Sequence, residues 1–338
     1  MIWRILDDRD EAIVDHIDAG AVLFGRDDCV AVVATGKHRT RFLHAVTTQD
    51  VNGMAPGARL RNSLCTAKGA LIGWWWQVTE ADRDVLWTAR AGAEALVAAL
   101  MGYRVSERIK LDITDDLALI EVFGGTAAQI AAAVGVEIPD SGTAVASWQG
   151  HALRVWSQPL ALGPEATQVP GWAAQVPRAA LGALATAMIA AGARPGCHAA
   201  REALRIQAGE PRLASELIDD SGTTPLELGL ADAVHLQKGC YLGHEALAMQ
   251  SWRGQLRRHL VWLTADGNET PQAGRKLRTD AGRRAGWTGG GYQLPSGERL
   301  GLGIVQRKAY AEGEALHTDG AEGNHTVVRT TRPGVFST

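Results

Sequence analysis

Much that would settle a class at once is missing from this sequence. Cysteine is scarce, with four in 338 residues. Cys29, Cys65, Cys197 and Cys240 form no Cys-x-x-Cys pair, which argues against a zinc site or a disulfide framework and suits a reducing compartment. No apolar run reaches the roughly 18 residues of a membrane span. The opening stretch from Met1 to Asp10 is acidic and interrupted, without the apolar centre of a signal peptide, so a cytoplasmic chain with no membrane partner is expected. A dominant charge is also lacking: the formal net charge of −3 gives no whole-chain field for phosphates, and direct nucleic-acid binding is not expected. Solenoid-period repeats and low-complexity tracts are absent.

What remains is the composition of an ordinary globular protein, 46% hydrophobic and 21% charged. A length of 338 residues exceeds what one hydrophobic core usually serves and implies two domains or three. Two alternating runs, Cys29 to Ala34 and Arg59 to Thr66, flank a helical pattern carried by Phe42, Leu43, Val46 and Val51. Turns at Ala67-Lys68-Gly69 and at Glu80 to Asp84 lead into strands Ala70 to Val78 and Val85 to Ala89, and a helix follows from Gly92 to Met101. A second pass of the same kind has strands near Arg104 to Ile113 and Leu117 to Phe123, then a helix near Thr126 to Ala133. Helices are further expected at Arg178 to Ala191 and Gly196 to Ala208. Beyond Arg253 short apolar runs at His259 to Leu263, Arg275 to Arg278, Leu300 to Val305 and His325 to Arg329 alternate with turn residues, the pattern of a small barrel or sandwich. The fold class is therefore α+β: residues 1–250 form two antiparallel-sheet halves divisible near residue 115, and residues 251–338 form a small C-terminal barrel or sandwich.

One segment holds features that chemistry could use. In Lys238-Gly239-Cys240-Tyr241-Leu242-Gly243-His244-Glu245 two glycines permit tight turns beside a ligand, and an ammonium neighbours a thiol whose thiolate it would favour. Cys240 reads either as a reactive thiol or as a small buried hydrophobe in a turn, and residue physics alone favours the second. His244 follows Cys240 by four residues, but Gly243 argues against one helix through both, so His244 reads as a surface or hydrogen-bonding residue.

The same eight residues resemble the Lys-Gly-Cys-Tyr-x-Gly-Gln-Glu signature of the YgfZ-type folate-binding proteins, relatives of the T protein of the glycine cleavage system. Thr47-Thr48-Gln49-Asp50-Val51, Leu64 to Gly69, Arg201 to Gly209 and Pro225-Leu226-Glu227 agree in order and spacing, so the resemblance covers nearly the whole chain. It implies a folate-binding body around a central hole, closed by a C-terminal barrel, with tetrahydrofolate as cofactor and iron-sulfur client enzymes, including tRNA-modifying ones, as partners. Cys240 and Lys238 carry over as the functionally required positions, and Gln207, Tyr241, Glu245, Trp74 and Arg205 as candidate cofactor contacts.

The sequence also departs from its relatives. The Asp that aminomethyltransferases place beside the folate falls at Gly73 or Trp74, neither ionisable, which disfavours glycine-cleavage chemistry. Gln207 stands where a Glu pairs the pterin, His244 where Gln is usual, and Met249 where Arg is usual. A one-carbon transferase or demethylase, and a scaffold that has lost its ligand, are the rival functions. Trp74-Trp75-Trp76 on a strand sends two indoles one way and one the other, as core packing or as a cavity wall that stacks on or fills a pterin pocket. Arg253, Arg257 and Arg258 beside Trp252 read as a solvated strand end or as a patch for nucleic acid or an acidic partner, nucleic acid being disfavoured by the negative net charge. The glycine-rich stretch Gly286 to Gly303 reads as turns, since it lacks the strand-to-helix setting of a phosphate loop.

Overall fold

The computed structural model describes residues 17–163, 166–212, 222–265, 270–294, 297–311, 316–318 and 330–331. The chain begins β1 (Val22–Gly25), β2 (Cys29–Thr35), α1 (Arg39–Val46), β3 (Arg59–Cys65), β4 (Leu71–Thr79), β5 (Asp84–Ala89), α2 (Ala93–Gly102) and β6 (Lys110–Thr114). It continues through β7 (Leu117–Phe123), α3 (Ala127–Ala133), β8 (Ala144–Trp148), β9 (His151–Ser157), β10 (Leu160–Leu162), β11 (Thr167–Val169), β12 (Gly171–Pro177), α4 (Arg178–Ala190), β13 (Arg194–Pro195) and α5 (His198–Gln207). Last come α6 (His244–Trp252), β14 (Arg258–Thr264), β15 (Lys276–Thr279), β16 (Arg284–Gln293), β17 (Arg299–Gln306), α7 (Arg307–Ala311), β18 (Leu316–Thr318) and β19 (Thr330–Thr331).

Three main sheets result. The first is antiparallel with order β3-β4-β5-β2-β6, and the second has order β13-β1-β7-β12-β9-β8. The chain passes between them at residues 115–116, but β1, from before the first sheet, inserts beside β7 in the second. Each sheet buries one face against its own helices. Val32, Leu64, Trp75 and Leu86 pack with Phe42 of α1 and Leu96 and Leu100 of α2, and Ile120, Val122, Trp172 and Ala174 pack with α3 and α4. The opposite faces meet through Ala31, Val85, Trp87, Leu119, Trp156 and Ala173. Period-two alternation thus serves two cores, one against helices and one between sheets.

The third sheet has order β18-β15-β16-β17-β14-β19. Its end strands are three and two residues long, no pairing joins them among the described residues, and those residues form an antiparallel sheet. The run His325 to Arg329 lies outside the described residues. Gly286 to Gly303 is not a set of turns as expected: it supplies much of β16 and β17, paired from Gly286↔Val305 to Gln293↔Arg299 with a bulge between Thr288 and Gly291. The glycines reflect crowding, since a Cβ at Gly291 would stand 2.6 Å from the Pro271 carbonyl oxygen. Residues 104–109 are likewise not strand, because the Glu107 carboxylate accepts the amides of Val105 and Ser106, each at 3.1 Å, and competes with ladder pairing.

Candidate functional site

Two places concentrate chemistry. The first is the signature turn. Gly243 adopts φ +84 and begins α6, and a Cβ there would stand 2.7 Å from the Thr66 carbonyl oxygen and 3.0 Å from the Gly69 Cα. The β3–β4 hairpin therefore presses directly on the signature, and α6 starts after the glycine rather than running through it. Lys238 extends its ammonium to the carbonyl of His44, in the last turn of α1, and to that of Gln49 at 2.9 Å. Its ammonium also lies 4.8 Å from the centre of the Tyr241 ring. Burial lowers the Lys238 pKa to about 8, with Asp50 opposing. Lys238 thus ties the signature to the Thr47-Thr48-Gln49 segment, where Thr48 bonds the carbonyl of Ala233 and Gln49 that of Asp232 at 2.8 Å.

Cys240 is exposed, the one exposed thiol of the four; the buried-hydrophobe reading gives way because the turn carries its side chain outward. Cys65 and Cys197 are buried, and burial raises the Cys65 thiol to about 12. Tyr241 is buried with its hydroxyl unpaired and packs its ring 4.9 Å from that of His244, whose Nε2 bonds the Leu236 carbonyl at 2.9 Å. Glu245 is exposed in the first turn of α6, where a carboxylate suits the helix dipole.

The second place is a cavity of about 350 Å³ between the first two sheets, bounded also by α5 and the residues after it. Trp74 and Trp76 of β4, Trp87 of β5 and Trp156 of β9 give it indole walls, whereas Trp75 turns into the core with no exposure. Arg59 and Arg61 of β3 lie over these rings: the Arg59 guanidinium is 3.7 Å from the Trp76 ring centre and 4.9 Å from that of Trp156, and Arg61 is 4.4 Å from Trp76 and 5.3 Å from Trp74. Such stacking is favourable and holds the cations in place. Burial, reinforced by Arg61, lowers the Arg59 pKa to about 9.

Opposite them, Glu121 is buried in the middle of β7 and accepts Arg201 Nε at 2.6 Å, Arg26 Nη1 at 2.8 Å and Gln158 Nε2 at 2.6 Å. Glu210 pairs with Arg201 at 3.2 Å, and Asp28 with Arg26 at 2.8 Å. Burial pushes these carboxyls up, but the guanidiniums outweigh it and all three lie below their usual range, Glu210 at about 2. Among the expected contacts Trp74 and Arg205 line the cavity, whereas Gln207, Lys238, Cys240, Tyr241 and Glu245 are not among the lining residues. Gln207 Nε2 donates to the Tyr292 hydroxyl of β16 at 2.7 Å. Where the aminomethyltransferase Asp is missing, Trp74 faces the cavity, and Gly73 backs onto Leu96 of α2, 2.9 Å from where a Cβ would be.

Sequence reading missed Arg26, Arg59, Arg61, Glu121 and Trp156. Two signals were present: a lone carboxylate inside the apolar run Leu117 to Phe123, and Arg-x-Arg facing Trp-x-Trp on neighbouring strands at period two. Arg258 leaves the suggested surface patch, for it is buried and pairs with the buried Glu227 at 3.1 Å; Trp252, Arg253 and Arg257 stay exposed. Among the described residues no cluster of three His, Cys, Asp or Glu could hold a metal ion, and no helix is long and apolar enough to cross a membrane.

The two face-to-face sheets and the third sheet define a chain of the aminomethyltransferase fold. The glycine cleavage system aminomethyltransferase T from Bartonella henselae superposes with a TM-score of 0.78 at 20% identity, over 96% of this chain and 88% of that one. In sequence the chain is 24% identical over 315 residues to the tRNA-modifying protein YgfZ of Pectobacterium carotovorum subsp. carotovorum, covering 90% of each. It is 26% identical over 281 residues to that of Klebsiella pneumoniae, covering 81% of this chain and 82% of the other. An aminomethyltransferase of Caldanaerobacter subterraneus subsp. tengcongensis is 36% identical over 122 residues, 36% of this chain and 31% of that one. No family model matches the chain. By sequence the chain is thus similar to the YgfZ-type proteins over most of its length, and by fold to the glycine cleavage T protein.

Proposed function

We propose that this protein holds tetrahydrofolate in the cavity between the two sheets and serves iron-sulfur enzymes, tRNA-modifying ones among them, with Cys240 as its functional thiol and Lys238 setting the turn that presents it. The observation that carries the reading is the cavity itself. Indoles on two walls suit a pterin and a benzoyl ring, the surrounding arginines suit glutamyl carboxylates, and the Nε1 of Trp74 is buried without a partner, as a donor awaiting a ligand acceptor would be. A central hole closed by a C-terminal barrel belongs to the same proposal.

A binding role is favoured over one-carbon transfer by the state of the carboxylates. General acid–base chemistry needs a group that titrates near the working pH, and Asp28, Glu121 and Glu210 are all held ionised by arginine. The test has two arms. Calorimetric titration with tetrahydrofolate is expected to give micromolar binding that persists in Cys240→Ala, while the same variant fails to restore iron-sulfur enzyme activity in cells lacking the native protein. Full restoration by Cys240→Ala removes the thiol from the proposal, and turnover with an amine or thioether donor replaces it by a transferase.

A further inference from the structure

The charges lining the cavity do not balance, and the imbalance is local. Six arginines line it against three carboxylates, Asp28, Glu121 and Glu210. On the α5 side the cations are already answered: Arg201 by Glu121 and Glu210, and Arg205 by Glu202 at 2.7 Å. Among the described residues Arg61 is within ion-pair distance of one carboxylate, the largely exposed Asp232 at 3.0 Å, with Glu210 acting on it from further away. Arg59 has no carboxylate within ion-pair distance among the described residues, and its Nη2 donates to the neutral Gln158 Oε1 at 3.0 Å. The Nε atoms of both Arg59 and Arg61 are buried without a hydrogen-bond partner, as is Trp74 Nε1 beside them.

Two like charges on alternate residues of one strand, half-buried with their Nε atoms shielded and stacked on indoles, are costly unless something negative joins them. The stacking fixes each fork in place, so little ordering is left to be done when an anion arrives. We infer that Arg59 and Arg61 form an anion subsite that binds the carboxylate end of an aromatic ligand against the β3–β4 wall, while the α5 arginines, already neutralised, shape the cavity without holding the ligand's charge. The inference deepens the folate reading and rests on it for the ligand's identity, but the charge arrangement stands without it. In a reduced folate the group taken would be a glutamyl carboxylate, and the ring system would lie further along the indole wall.

The test compares the wild-type protein with Arg59→Gln and Arg61→Gln, titrated with 5-formyltetrahydrofolate and with 6-methyltetrahydropterin, which has the ring system and no carboxylate. Removing one charge-assisted fork is expected to weaken 5-formyltetrahydrofolate binding about tenfold or more, with a shallower salt dependence, and to change pterin binding less than about threefold. Equal affinity of Arg59→Gln and wild type for 5-formyltetrahydrofolate overturns the subsite and leaves the folate reading standing. If wild type takes neither compound, the folate reading falls, and naphthalene-2-sulfonate decides the subsite alone. About tenfold weaker sulfonate binding in Arg59→Gln upholds it, and equal binding, or none in wild type, ends it. Thermal melting without ligand separates these results from misfolding: Arg59→Gln loses the indole stacking and the Gln158 bond but also a half-buried charge with no carboxylate in ion-pair distance among the described residues, and is expected to melt within about 5 °C of wild type.

Discussion

At the scale of single residues the signature is held by steric exclusion. Gly243 combines a left-handed backbone with a contact to the Thr66 carbonyl that leaves no room for a methyl group. Gly243→Ala is expected to cost about 2–3 kcal/mol in unfolding free energy, read by urea titration. Gly239 also has a positive φ, +105, but open space around it, so Gly239→Ala carries backbone strain alone, about 1–2 kcal/mol. Equal costs would mean that the Thr66 contact is unimportant. The Glu227–Arg258 pair is harsher: Glu227→Ala takes a buried carboxylate away from the buried guanidinium it pairs with and is expected to cost about 3–5 kcal/mol. This scale was unevenly legible in the sequence. Glycines and a cysteine in a short fixed order announce a special turn, because few residues tolerate that backbone. Arg59 and Arg61 look like any solvated strand charges until β4 is laid beside β3.

At the scale of elements, α5 is the hinge pin of the site. Its Arg201 and Arg205 face the cavity, while its far end is fastened to the third sheet by Gln207 to Tyr292 and by Trp262 Nε1 to the Ile206 carbonyl at 2.8 Å. Tyr292→Phe removes one of these fastenings and orphans Gln207 Nε2. It is expected to cost about 1–2 kcal/mol and to speed amide exchange in residues 204–208 more than in α4. Uniform exchange in both helices would show that the Tyr292 bond does not hold α5. Helices with clear apolar faces were readable to within two residues, as at Arg178–Ala190, since their period is set by the chain itself. β16 was not readable, because its glycines make way for neighbours distant in sequence, Gly286 for the Ile304 carbonyl and Gly291 for Pro271. Strands β9 and β12 escaped for a related reason: with one face toward helices and the other toward a second sheet, their alternation is blurred.

At the scale of the whole molecule, the two sheets share one buried layer of ions, with Glu121 on β7 facing Arg201 on α5 and Arg26 between β1 and β2. Because the folded-state values of Asp28, Glu121 and Glu210 are depressed, their stabilisation is fully present above the unfolded carboxyl range near about 4. It drains as pH falls toward the folded values, about 2 for Glu210. The melting temperature is therefore expected to be level above about pH 5 and to fall steadily from about pH 4.5 downward. In Glu121→Gln the slope should be shallower, one titrating carboxyl having been removed, and stability at pH 7 lower by about 3–5 kcal/mol, since Arg26 and Arg201 keep their charges and lose the group that answers both. A Glu121→Gln protein within about 1 kcal/mol of wild type at pH 7, with the acid slope unchanged, would mean that water rather than Glu121 screens those arginines. The cavity would then be more open than its indole walls suggest.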